Sequence, residues 1–209
     1  MKLGTKSLLW GAHAFFLHPF QVGWGWRRLW KFPWDPRLWV CFFFHDVGYI
    51  MRDQMDGDGS EEHVILGAEI VRSICGPEYA DECYRHSREW CRRWGQPVSR
   101  LCLADKMAFV LAPWWVYLPM TRLTGELDEY MRRSREEHRL GGYTEEEREL
   151  VFRGGHRAWL KGLQSYTLRW VEAHRHLVVP GRANGSAIAA VSGAAIRLRV
   201  VANSNGGQR

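Results

Sequence analysis

Leu38-Trp39-Val40-Cys41-Phe42-Phe43-Phe44-His45-Asp46-Val47-Gly48 decides how the rest of this chain is read. Asp35-Pro36 upstream has the form of an N-cap followed by proline at the first helical position, and Gly48 that of the residue just past a helix C-terminus. The pattern predicts a helix over 36–47. It is apolar almost all the way round, so it belongs in a core. An imidazole and a carboxylate side by side at the end of such a helix are costly to bury unless something neutralises and orders them. A cation does that well, and the negative end of the helix dipole adds a small preference for one.

The 209 residues suffice for one sizeable core, and 46% hydrophobic with 25% charged residues is an ordinary globular composition. Four arginines and no acid lie in 180–209, so this tail supplies +4 of the net +6. The remaining body is nearly balanced, which gives no electrostatic case for nucleic-acid binding. Five cysteines without a CxxC pair argue against a disulfide framework or zinc knuckle and fit a reducing cytoplasm. The N-terminus has two lysines before Leu8-Leu9-Trp10, but histidines and Pro19 interrupt the apolar stretch and no small-residue cleavage site follows. The longest uncharged apolar run, Met107 to Met120, is broken by prolines at 113 and 119 and is too short to span a bilayer. The expectation is a cytoplasmic protein with no membrane partner, able to self-associate.

Periodicity and caps predict helices throughout. They cover 7–18, 19–31, 36–47, then 61–75 after Ser60 and 77–94 between Pro77 and Gly95. Further helices follow over about 100–112 from Ser99 and from Thr124 to about 140. Thr144 with Glu147 forms a capping box for a last long helix to about 177, with a kink at Gly154-Gly155. Residues 51–59 form an acidic glycine-containing loop. As a calcium loop starting at Asp56 it fails, because Glu61 and Gly67 stand where glycine and the bidentate glutamate are needed. The composition after Pro180 reads as a flexible basic tail. No alternating strand pattern appears before it. The fold class is all-α, with one domain over 1–178 and a disordered tail over 179–209.

On or at the end of separate predicted helices lie His18, His45-Asp46, His63, His86 and Asp105. Six nitrogen and oxygen ligands from helices of one bundle can hold one or two divalent cations. His13 stands five residues before His18, and either could supply the first ligand. His138, His156, His174 and His176 fall on charged faces and read as surface residues.

The order His…His-Asp…His…His…Asp resembles the HD-domain superfamily of metal-dependent phosphohydrolases. His18-Pro-Phe-Gln-Val22, Phe44-His45-Asp46-Val47-Gly48 and Leu103-Ala104-Asp105-Lys106 carry the likeness, over about residues 10–125. His18 fits its first mark better than His13 does. The resemblance implies an HD-like helical bundle in which His18, His45, Asp46 and Asp105 bind one metal. His63 and His86 match the extra histidines of binuclear members, with Asp46 bridging. The ion would be Mn, Fe, Zn, Co, Ni or Mg.

A bound cation lowers the pKa of coordinated water and so supplies a hydroxide nucleophile, and two ions can clamp both oxygens of a phosphoryl transfer. Asp46 and Lys106 are the expected catalytic residues, with Arg52 and Arg88 as substrate-binding cations near the ligands. No Gly-Tyr-Pro follows a later histidine, and no Glu-Asp pair follows His45-Asp46. Those absences make the likeness to the cyclic-di-GMP phosphodiesterase branch poor and weaken that to the alarmone hydrolases. The Ala-Asp-Lys segment is similar to small HD proteins acting on nucleotides, so a small phosphorylated, nucleotide-like substrate is expected. Two alternatives remain: an HD-fold di-iron oxygenase of a small polar substrate, which uses the same ligand order, and a non-catalytic domain binding a protein through its tryptophan-rich N-terminal region.

Overall fold

The computed structural model describes residues 1–50, 52–53, 63–136 and 142–178. Eleven α-helices run through them, and no strand occurs among the described residues. The fold is all-α, as expected, and Met1–Val178 forms one compact unit. The tail over 179–209, the loop from Asp56 to Glu62, the Ser60 cap and His138 lie outside the described residues.

Several helix ends differ from the sequence reading. The first helix, α1, is Leu3–Trp10. A turn over 11–17 separates it from α2, His18–Leu29, so His18 opens a helix rather than closing one. α3 is Pro36–Phe44, with Asp35 accepting from the Arg37 backbone N–H as its N-cap. It stops three residues earlier than expected, because His45 turns its ring back onto the last carbonyls. Nδ1 lies 3.2 Å from the Cys41 oxygen, which also accepts from the His45 N–H, and 3.0 Å from that of Phe42, in the last turn where helix carbonyls lack partners. A 3₁₀ turn, Val47–Tyr49, follows.

Gly48 therefore sits inside that turn rather than beyond a helix, and its role is close approach. A Cβ there would stand 1.9 Å from the His63 carbonyl oxygen at the start of α4, His63–Cys75. Gly25 of α2 serves the same purpose against Ala104 of α7, Arg100–Leu111, where a Cβ would meet the carbonyl oxygen at 2.2 Å. In both contacts the obstructing atom is backbone and cannot swing away. Gly25→Ala and Gly48→Ala are each expected to destabilise by at least about 2 kcal/mol, seen as a lower urea midpoint at unchanged m.

The expected helix over 77–94 is two: α5, Pro77–Tyr84, and α6, Arg88–Arg93. Ser87 caps α6 by accepting from the Trp90 N–H, which places His86 in the break instead of mid-helix. The apolar run after α7 also folds as a helix, α8, Trp114–Thr124, turned sharply from α7. Thr124 thus ends a helix instead of starting one, and α9 is Glu126–Ser134. The Thr144–Glu147 capping box forms as expected, but the last helix is divided at Gly154-Gly155 into α10, Glu145–Arg153, and α11, His156–His174. No single helix among the described residues is long and apolar enough to cross a membrane.

The core has two main parts. Leu29, Leu103, Met107 and Val171 join α2, α7 and α11. Leu118, Leu127, Val151, Trp159 and Leu160 join α8 to α11. Glu147 fastens α10 to α11 through Arg169 and Ser165 besides capping its own helix. Burial pushes the Glu147 pKa up, but hydrogen bonds from Arg169, the Thr144 N–H and Ser165 outweigh it and bring the value to about 2. Since the unfolded value is near 4.5, the contribution is complete above that pH and is lost as pH falls toward 2. With Arg169 about half exposed to screening water, it is worth about 1–2 kcal/mol. Glu147→Gln is expected to lower stability at pH 7 by that amount and to flatten its decline between pH 5 and about 2, measured by urea unfolding at each pH.

Candidate metal centre

Five helices or their ends bring the six expected ligands together. His18 at the start of α2, His45 and Asp46 after α3, His63 at the start of α4, His86 between α5 and α6, and Asp105 in α7 are all buried. Asp46 Oδ2 lies 3.1 Å from His45 Nε2 and 3.3 Å from His18 Nε2, and His18 Nε2 lies 3.1 Å from Asp105 Oδ1. The other carboxylate oxygen, Asp46 Oδ1, is 3.2 Å from His86 Nε2, which is itself 3.2 Å from His63 Nε2. His18, His45 and Asp46 form one group able to hold an ion; Asp46, His63 and His86 form a second. Asp46 belongs to both.

The tautomers follow from the backbone. A carbonyl oxygen can accept but not donate, so His45 Nδ1, against Cys41 and Phe42, carries the hydrogen, as does His86 Nδ1, against the Cys83 carbonyl. In the neutral rings both Nε2 atoms are then lone pairs aimed at Asp46, itself an acceptor. Among the described residues His18 Nε2, His45 Nε2 and Asp46 Oδ2 are buried without a hydrogen-bond partner. Acceptors converging this closely in a dry site need positive charge between them.

The electrostatics agree. Burial alone would lower the His18 pKa, but contact with Asp105 and Asp46 raises it to about 10. Asp46 is held well below the usual carboxylate range: burial opposes this, and its electrostatic interactions with the neighbouring imidazoles and its contact with His18 prevail. Asp105 is likewise held low against burial, by Lys106 and His18. The cluster thus favours positive charge, which a proton on His18 or an ion can supply, and its nitrogen and oxygen donors could hold a divalent metal ion.

Five of the six ligands, all but His45, line a cavity of about 840 Å³. Lys106 lines it, with Nζ 2.7 Å from Asp105 Oδ2. Arg88 lines it too, its guanidinium 5.0 Å from the Trp170 ring centre, and no carboxylate pairs with Arg88 among the described residues. Arg52 is not brought to this cavity. Its carbonyl accepts from the Gly4 N–H, which ties it to α1. His174, read as a surface residue, lines the cavity instead, stacked on Trp170.

Two features had no reading in the sequence. Tyr49 stacks on His63 with rings 4.1 Å apart and 11° from parallel, which fixes that imidazole. Glu126, fully buried, accepts from the Ser7 hydroxyl at 2.5 Å, the Ala12 N–H at 3.1 Å, Thr124 at 2.6 Å and Tyr130 at 3.0 Å. Ser7 Oγ, its proton given to Glu126, is 2.9 Å from His13 Nδ1. His13 is thereby held as a neighbour of the centre, with Nε2 3.9 Å from Asp46 Oδ2, while His18, at 3.3 Å, belongs to the group able to hold an ion. No family model, no curated protein and no solved structure matches the chain, so the assignment of this centre rests on its own residues.

Proposed function

We propose that the protein is a metal-dependent phosphohydrolase acting on a small nucleotide-like phosphate ester or anhydride. The observation that carries this reading is the pair of ligand sets sharing Asp46 beside a cavity that Lys106 and Arg88 also line. His18, His45, Asp46 and Asp105 would hold one ion, and Asp46, His63 and His86 a second. Such ions, when bound, supply Lewis acidity and an activated water. Asp46 fixes the spacing of the two sets. Lys106 orients Asp105 and balances negative charge gathered at the centre. Arg88, braced on Trp170, offers its N–H edge to phosphate oxygens. A volume of about 840 Å³ suits a ligand of nucleotide size, and Tyr143, Tyr166 and Trp170 give a base flat apolar surface.

The test is phosphate release from a nucleotide panel with Mn²⁺, Co²⁺, Mg²⁺ or Zn²⁺ added to metal-stripped protein. Metal-dependent release is expected. Arg88→Ala is expected to raise KM about 10-fold or more with kcat largely kept, the loss of one charged hydrogen bond. Tightly held iron with oxygen consumption, and no phosphate from any ester, would instead establish the oxygenase.

A further inference from the structure

The first 34 residues contain Lys2, Lys6, Arg27, Arg28 and Lys31 and no acid. The same stretch exposes large rings: Phe16 is 80% accessible, Phe20 56%, Trp24 60% and Trp34 83%. These are not scattered. Phe16 touches Phe15, Phe15 touches Phe43, and Phe43 touches Phe20. From Phe20 the contacts continue through Trp39 to Phe32 and Trp34. One continuous aromatic surface results.

α2 is divided lengthwise. At 100° per residue, His18, Val22, Trp26 and Leu29 fall on its buried side, while Phe20, Trp24, Arg27 and Arg28 share the exposed side. Arg27 lies 5.9 Å from the Trp24 ring centre. The metal ligand thus faces inward, and a stripe of aromatic rings with cations faces outward.

We propose that this face docks the protein on the surface of an anionic lipid bilayer. Tryptophan and phenylalanine insert at the level of the headgroups, and neighbouring arginines and lysines are drawn to anionic lipid. Within the stretch itself no acid opposes that attraction; Lys2 pairs with Asp53, and Asp35, the residue after Trp34, pairs with Arg37. Aromatic rings and arginines also gather at protein interfaces; the run of five cations without an acid over 34 residues is what favours a uniformly anionic lipid surface. Surface docking requires no spanning helix, so it is compatible with the helix lengths described above. It is also independent of the hydrolase reading.

The experiment is co-sedimentation of the full chain with vesicles of neutral phosphatidylcholine, or of phosphatidylcholine with about one third phosphatidylglycerol, at low and 0.5 M salt. Binding to the anionic vesicles, weakened by salt, is expected. Arg27→Glu/Arg28→Glu should weaken it at least about 25-fold, from a factor of about five per lost charge. Trp24→Ser/Trp34→Ser should weaken it about tenfold or more. Both pairs are exposed, and circular dichroism with an unchanged melting temperature confirms that each variant folds. Absence of binding to anionic vesicles, equal binding to neutral ones, or equal binding by the folded variants would overturn the proposal. So would a wild-type dimer that the tryptophan variant splits while vesicles sediment nothing, which would make the face a contact between copies.

Discussion

Asp46→Ala is expected to empty both metal positions and abolish phosphate release. Its two oxygens reach different halves of the centre, Oδ2 toward His18 and His45 and Oδ1 toward His86. Losing an outer-shell partner of a metal ligand costs about 10–100-fold in affinity or activity, and losing the shared ligand itself should exceed that. Alanine would leave four imidazoles and Asp105 in a site shaped for more negative charge. Metal analysis after dialysis, compared with wild type, checks the expectation, and circular dichroism separates it from unfolding. Asp46→Asn, which keeps the shape but not the charge, should lose metal nearly as completely. Retention of two ions by either variant would remove Asp46 from the bridging position.

Glu126→Ala is expected to be the most destabilising of the substitutions considered. It removes an acceptor for the Ser7, Thr124 and Tyr130 hydroxyls and the Ala12 N–H, in a place with no accessible surface. Burial would raise this carboxyl's pKa, but His13 and the hydroxyls of Ser7 and Thr124 hold it below the usual range, so it is a charged acceptor. Stranding donors around the gap costs about 3–5 kcal/mol, or a fall of roughly 6–20 °C in melting temperature for a chain of this size. Glu126→Gln keeps the shape and one acceptor oxygen and should lose about half as much. Because Ser7 and Ala12 precede His13 and His18, the variant should also hold metal more weakly. A melting temperature within 2 °C of wild type would show that this network contributes little.

The contrast between these two acids shows what the sequence makes legible. Asp46 follows a helix apolar on every side, so its burial and its need of a cation can be read from its neighbours. The order of His18, His63, His86 and Asp105 on separate helices then points to one convergent site. Glu126 stands beside Asp128 and Glu129 in what reads as a solvated first turn. Only contacts to Ser7 and Ala12, more than 100 residues away, distinguish it.

Helix ends were legible where a local cap sets them, as at Asp35, Ser99 and Thr144. They were not where tertiary contacts set them. α3 stops because His45 folds back, and Gly48 is required by the carbonyl of His63. The α5–α6 break carried a signal in Ser87, a good N-cap residue, that the continuous helical pattern outweighed.

In the proposed centre one aspartate, Asp46, joins two metal positions. The most direct test of this is calorimetric titration of metal-stripped protein with Mn²⁺, for wild type and for His63→Ala/His86→Ala. Two ions per chain in the wild type and one in the variant, still held by His18, His45, Asp46 and Asp105, is the result expected. No binding by the wild type, or the same number of ions in both, would contradict it.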